Sequence, residues 1–150
     1  MATTFTKILI HFIFSTKNRE PLITPELENP LFAYMVGIAT NHGCYTVALN
    51  GTADHVHMLV SLGKMVTISK LMEEVKGDSS RWVNMEYRQA QPFRWQDGYA
   101  AFSIGESGLT AATQYITGQK SHHQQKSFQE ELLTFLEKYG IKYDERYIWK

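Results

Sequence analysis

Residues 45–62 read YTVALNGTADHVHMLVSL, and this stretch decides the fold class. Tyr45–Leu49 and His55–Leu62 read as two strands, and Asn50, Gly51 and Asp54 between them are turn formers. Two strands joined so closely form a hairpin and must run antiparallel. Upstream, Phe5–Phe14 is almost continuously apolar or β-branched, which suits a central strand buried on both faces, closed by Lys17 and Arg19. Leu27, Leu31, Tyr34, Met35 and Ile38 recur every three or four residues after Pro25 and give way to Asn41–Gly43, predicting an amphipathic helix with a glycine stop. Downstream, Ile68, Leu71, Met72, Val75, Trp82, Val83 and Tyr87 predict a long helix, weakened or divided at Gly77. Tyr99–Ile104 predicts a further strand; Leu109–Gln119 and Phe128–Tyr139 predict helices, with Ser107 as a cap and Gly140 as a stop. Helices alternate with strands, but the hairpin excludes an all-parallel sheet. The expected class is α+β, an antiparallel sheet with helices packed on it.

Composition narrows the function classes. The chain has 150 residues, 43% of them hydrophobic and 20% charged, which fits one domain with a sizeable core and argues against disorder. No linker-like tract, repeat or run of eighteen apolar residues interrupts it, so the expectation is a soluble, cytoplasmic protein with no membrane association. A single cysteine, Cys44, excludes an intramolecular disulfide framework. Fifteen basic residues balance fifteen acidic ones, so a nucleic-acid partner would have to be held by a local patch. Such patches exist: residues 1–19 carry Lys7, Lys17 and Arg19 with no acid, and residues 107–129 carry Lys120 and Lys126 with no acid.

The chemistry concentrates at Asp54-His55-Val56-His57. On a strand, His55 and His57 project from one face and Val56 and Met58 from the other. Their Cα atoms lie about 6.5–7 Å apart, so both rings can reach one divalent ion. Taken alone the pattern more often marks two ordinary strand histidines, and Leu59 in place of a third alternating histidine removes a histidine-triad hydrolase. The second constellation is Tyr115-Ile116-Thr117-Gly118-Gln119, which puts a phenol and an amide on one helix face. The phenol can serve as a covalent nucleophile once deprotonated, and the amide oxygen as a neutral ligand. An adjacent divalent ion would favour the phenolate. His11, inside the buried opening strand, reads as structural.

These residues resemble the single-tyrosine HUH transposases of the insertion-sequence 200/605 family. The resemblance rests on His55-Val56-His57, on Tyr115 with Gln119, and on segments in register along the whole chain. Those segments are Ser15-Thr16-Lys17 with Arg19, Lys76-Gly77-Asp78-Ser79-Ser80-Arg81, Trp95 to Gly98-Tyr99, and His122-His123 through Ser127-Phe128 to Tyr147 and Trp149. It implies a single HUH-type domain over residues 1–150 with a ferredoxin-like fold, its tyrosine helix near residues 109–120. It also implies cleavage and rejoining of single-stranded DNA with hairpin ends, through a 5′-phosphotyrosine on Tyr115. His55, His57 and Gln119 would hold Mg2+ or Mn2+. Working as a homodimer, one subunit's tyrosine helix could complete the other's histidine pair. Candidate DNA contacts are Lys17, Arg19, Lys76, Arg81 and Lys120, with Trp82 or Trp95 available to stack on a base. The alternatives are a non-mobile, hairpin-binding descendant of such a transposase and an HUH replication initiator or relaxase.

Overall fold

A computed structural model describes residues 2–87, 89–122 and 126–149. Its sheet has four strands, β1 (Leu9–Ser15), β2 (Tyr45–Gly51), β3 (His55–Ser61) and β4 (Ala100–Ile104), in the order β2-β3-β1-β4. All three neighbouring pairs are antiparallel. Helix α1 (Pro25–Asn41) connects β1 to β2, and α2 (Ile68–Glu86) connects β3 to β4. This is the βαββαβ arrangement of ferredoxin-like folds, as expected. Three helices follow: α3 (Leu109–Thr117), α4 (Gln119–His122) and α5 (Phe128–Lys138).

Strand alternation divides the core. Ile10, Phe12, Phe14, Val56, Met58 and Val60 join Leu27, Leu31 and Met35 of α1 and Leu71, Met72 and Val75 of α2 in one buried cluster. The opposite sheet face packs Ile13 and Phe102 against Phe128, Leu132 and Leu136 of α5, and Leu9 and Leu59 against Ile116 of α3. With helices on both faces, every residue of β1 is buried, which is why that strand reads as a continuous apolar run.

Local signals explain most element ends. The Thr24 side chain accepts from Leu27 N–H at 3.3 Å and Pro25 opens α1, where its missing N–H costs nothing. Gly43 (φ +74°) and Gly140 (φ +66°) take the left-handed conformation that follows a helix. Ser127 caps α5 by accepting from Glu130 N–H at 3.2 Å.

Three expectations need correction. β1 begins at Leu9 rather than Phe5, because Leu9 already faces the last residues of its partner strands, Ser61 and Ile104; Phe5 is 90% exposed. Ser107 does not cap α3: it lies in a 3-10 turn, Glu106–Gly108, and Gly108 precedes the helix without a side-chain bond. Gly77 does not divide α2, whose hydrophobic stripe is anchored on both sides of it by Val75 and Val83.

Candidate metal and tyrosine site

The β3 alternation puts His55 and His57 on the sheet face covered by α3 and α5, with ring centroids 5.3 Å apart and both side chains fully buried. The far nitrogen of each ring is held. His55 Nδ1 lies 2.7 Å from Asp54 Oδ1 and 2.9 Å from the Thr52 hydroxyl; His57 Nδ1 lies 2.8 Å from His11 Nε2. Such partners orient the imidazoles and leave both Nε2 atoms facing the same point.

That point is occupied by a carboxylate from α5. Glu131 Oε1 lies 2.7 Å from His57 Nε2 and 3.5 Å from His55 Nε2. Glu131 Oε2 accepts from the Tyr115 hydroxyl and lies 3.4 Å from Gln119 Nε2. All four residues expected to converge, His55, His57, Tyr115 and Gln119, therefore gather within one chain around Glu131, which is 2% exposed.

The electrostatics follow from this packing. Burial pushes the Glu131 carboxyl upward, but hydrogen bonds from His55, His57 and Tyr115 outweigh it and hold the group far below the usual carboxylate range. Burial lowers His55, yet the bonds to Asp54 and Glu131 prevail and leave it raised. His11 is lowered to about 3 by burial and by its neighbour His57, so it stays neutral. Burial and the Glu131 carboxylate push the Tyr115 phenol above its ordinary value. In this arrangement the Tyr115 phenol keeps its proton.

The donor set fits a divalent cation. His55, His57 and Glu131 each offer one ligand atom, all within 4.8 Å of one another. Beside them the Gln119 side-chain oxygen is buried without a hydrogen-bond partner among the described residues, although its amide nitrogen faces Glu131. Rotating that amide would turn a bare oxygen toward the same point, and a buried oxygen with no donor is costly unless something positive meets it. Two imidazoles, a carboxylate and an amide suit a first-row ion such as Mn2+ on ligand softness, and carboxylate and amide oxygens are also ligands that Mg2+ accepts.

Glu131 and the ring-holding role of His11 were not read from the sequence. A signal for Glu131 existed: Phe128, Leu132, Phe135, Leu136 and Tyr139 mark the inward stripe of α5, and Glu131 sits within it. An acid on an apolar stripe requires a buried partner.

The expected DNA contacts are dispersed. Lys17 and Lys76 line one groove on the α2 side of the sheet, where Lys17 Nζ is 3.5 Å from Asp97 and Lys76 Nζ donates to the carbonyls of Asp97 (3.2 Å) and Gly98 (2.6 Å). Arg81 pairs with Asp78, and Arg19 donates to the Trp149 carbonyl at 3.2 Å. Lys120, next to Gln119, lies 2.8 Å from Glu28. Trp95 is core, 7% exposed and donating to Ser79 at 2.9 Å, so it does not offer a stacking face; Trp82 is stacked on Tyr34. His123 and the side chain of His122 lie outside the described residues.

The sequence profile described as "Transposase IS200 like" matches residues 4–119, a span that contains His55, His57, Tyr115 and Gln119. The chain belongs to the IS200-like transposase family. It is 25% identical over 114 residues to the ISDra2 transposase TnpA of Deinococcus radiodurans, covering 73% of this chain and 81% of that protein. A crystal structure of a candidate transposase from Deinococcus radiodurans superposes with a TM-score of 0.63 at 27% identity, over 79% of this chain and 95% of that one. A REP-associated tyrosine transposase bound to a REP hairpin shares the fold, with a TM-score of 0.63 at 14% identity over 82% of this chain and 73% of that one. Glu131 lies beyond the residues that the IS200-like profile matches. Among the described residues no helix is long and apolar enough to cross a membrane.

Proposed function

We propose that this IS200-like transposase cuts and rejoins single-stranded DNA at hairpin-bearing element ends, with Tyr115 as nucleophile. The convergence of Tyr115 with His55 and His57 through Glu131 carries the reading. Tyr115 Oη forms the new bond to the scissile phosphorus while the bond to the 3′ oxygen breaks, giving a 5′-phosphotyrosine and a free 3′-hydroxyl. The phosphodiester energy is kept in that linkage, so a later 3′-hydroxyl can reseal the strand without a nucleotide cofactor.

His55, His57, Glu131 and Gln119 would hold Mg2+ or Mn2+, which when bound supplies Lewis-acid polarisation of the phosphate and charge stabilisation on the departing oxygen. Asp54 and His11 keep the two imidazoles aimed; Glu131 positions the phenol beside them. The meeting of Tyr115 with both histidines in one chain supports cleavage by a chain's own tyrosine. A homodimer would serve to hold two element ends together.

The test is a denaturing gel of the protein with a labelled single strand carrying the element's end hairpin, in Mn2+ or Mg2+. Wild type should nick the strand and become covalently attached; Tyr115→Phe should form no adduct and still bind the hairpin. Hairpin binding with no adduct in either metal would favour the binding-only descendant, and a preference for a replication origin or transfer-origin strand would favour the initiator or relaxase.

A further inference from the structure

We propose that the cavity between α3 and α5 is a nucleotide subsite, receiving the base and flanking phosphates of the single strand next to the bond that Tyr115 attacks. This inference rests on the reading of Tyr115 as nucleophile and adds where the strand lies. The cavity encloses about 470 Å3, within the roughly 300–1,000 Å3 of small-ligand sites. Tyr115 lines one end of it, so an occupant is placed directly beside the phenol.

Its walls match a nucleotide's two chemistries. Phe135 and Tyr139 form an aromatic side, continuous with the Phe102 ring stacked on both, and Ala112 lies on the α3 side. Aromatic walls accept bases without regard to sequence. Lys126 and Lys138 also line the cavity, and neither is paired with a carboxylate among the described residues: Lys126 donates to the Thr134 hydroxyl at 3.0 Å and Lys138 lies over the Tyr139 ring at 5.5 Å. Among the described residues the only acid lining the cavity is Glu131, whose charge is directed to the histidines. The remaining cavities offer less. One beside Phe128 touches Asp54, but its Lys120 is held by Glu28; the α2-side groove lies on the opposite sheet face from Tyr115.

The experiment uses full-length protein in chelator, so that no cutting occurs, with fluorescein-labelled hexathymidylate, hexadeoxyadenylate and hexadeoxycytidylate. Binding is followed by anisotropy, and its location by the methyl resonances of Ala111, Ala112 and Thr134. The oligonucleotides should shift those methyls, and Ala111→Trp, an exposed position at the cavity, should weaken binding about tenfold, the order of one lost stacking contact. Lys138→Glu, on the exposed side of α5, should weaken binding and reduce the salt dependence by roughly one phosphate contact. Mn2+ affinity should be unchanged in both, which shows the metal residues intact; Lys138→Glu alone decides the matter if Ala111→Trp does not fold. Unmoved methyls, or wild-type binding by both variants, would overturn the subsite. A protein that nicks its hairpin end yet shows that result loses only this inference, whereas cavity binding without nicking under any metal overturns the proposed function instead.

Discussion

The Tyr115 hydroxyl donates to Glu131, a carboxylate sixteen residues further along the chain on a different helix, whose second oxygen sits 2.7 Å from His57 Nε2. One side chain thus ties the Tyr115 phenol of α3 to the histidines of β3. Burial, with the Glu131 carboxylate beside it, pushes the phenol above its ordinary value.

Replacing Glu131 by Gln should therefore weaken Mn2+ binding by at least about tenfold, because the site loses its only charged ligand. Isothermal titration of the free protein measures this directly. Equal affinity in the variant would remove Glu131 from the ligand set. Glu131→Ala should in addition lower stability by roughly 3 kcal/mol, since a buried ion pair loses one partner; denaturant unfolding reads that loss.

His11 tests the ring-holding argument. His11→Phe preserves a ring in the core but removes the 2.8 Å bond to His57 Nδ1. The expected result is a metal affinity about tenfold lower with an unchanged circular-dichroism spectrum. An unaltered affinity would return His11 to a purely structural role.

Lys76 gives a pH signature remote from the metal site. Burial lowers it from 10.5 to about 8, partly opposed by Asp97. Below pH 8 folded and unfolded chains both carry its proton. Between about 8 and 10.5 the unfolded chain binds more protons, so this group makes stability rise with pH; its contribution is fullest above the unfolded value and is lost as pH falls through the folded one. Partial exposure keeps the slope below the full ~1.4 kcal/mol per pH unit. Unfolding of wild type and Lys76→Met compared from pH 8 to about 9, before most tyrosines ionise, should show the rise in wild type alone.

Gly77 is an interior helical position without a packing reason for glycine. An added Cβ would meet only the Arg81 guanidinium, at 3.8 Å. Gly77→Ala should stabilise the protein by about 0.5–1 kcal/mol, raising the thermal midpoint; a lower midpoint would mean that α2 requires the flexibility.

The sheet and its four strands were legible because the patterns are simple: turn formers between two strand-like segments in residues 45–62, a nearly continuous apolar run in β1, glycines where helices stop. Where β1 begins was not, since Phe5 is as apolar as Phe12 and only the length of the partner strands leaves it outside. The shared face of His55 and His57 follows from a period of two and was read correctly. Their link to Tyr115 is a tertiary fact, sixty residues distant, that came from family resemblance rather than from spacing. Glu131 escaped because a motif search asks which residues repeat a pattern, whereas an acid among Phe128, Leu132 and Phe135 breaks one.

That interruption places α5 outside the recognised motif yet inside the cluster proposed to do the chemistry. A descendant could retain every signature residue up to Gln119 and still change its ion preference through one substitution on the later helix. Inventories of signature residues would score the two chains alike, so surveys of activity across this lineage should be sorted by what occupies position 131.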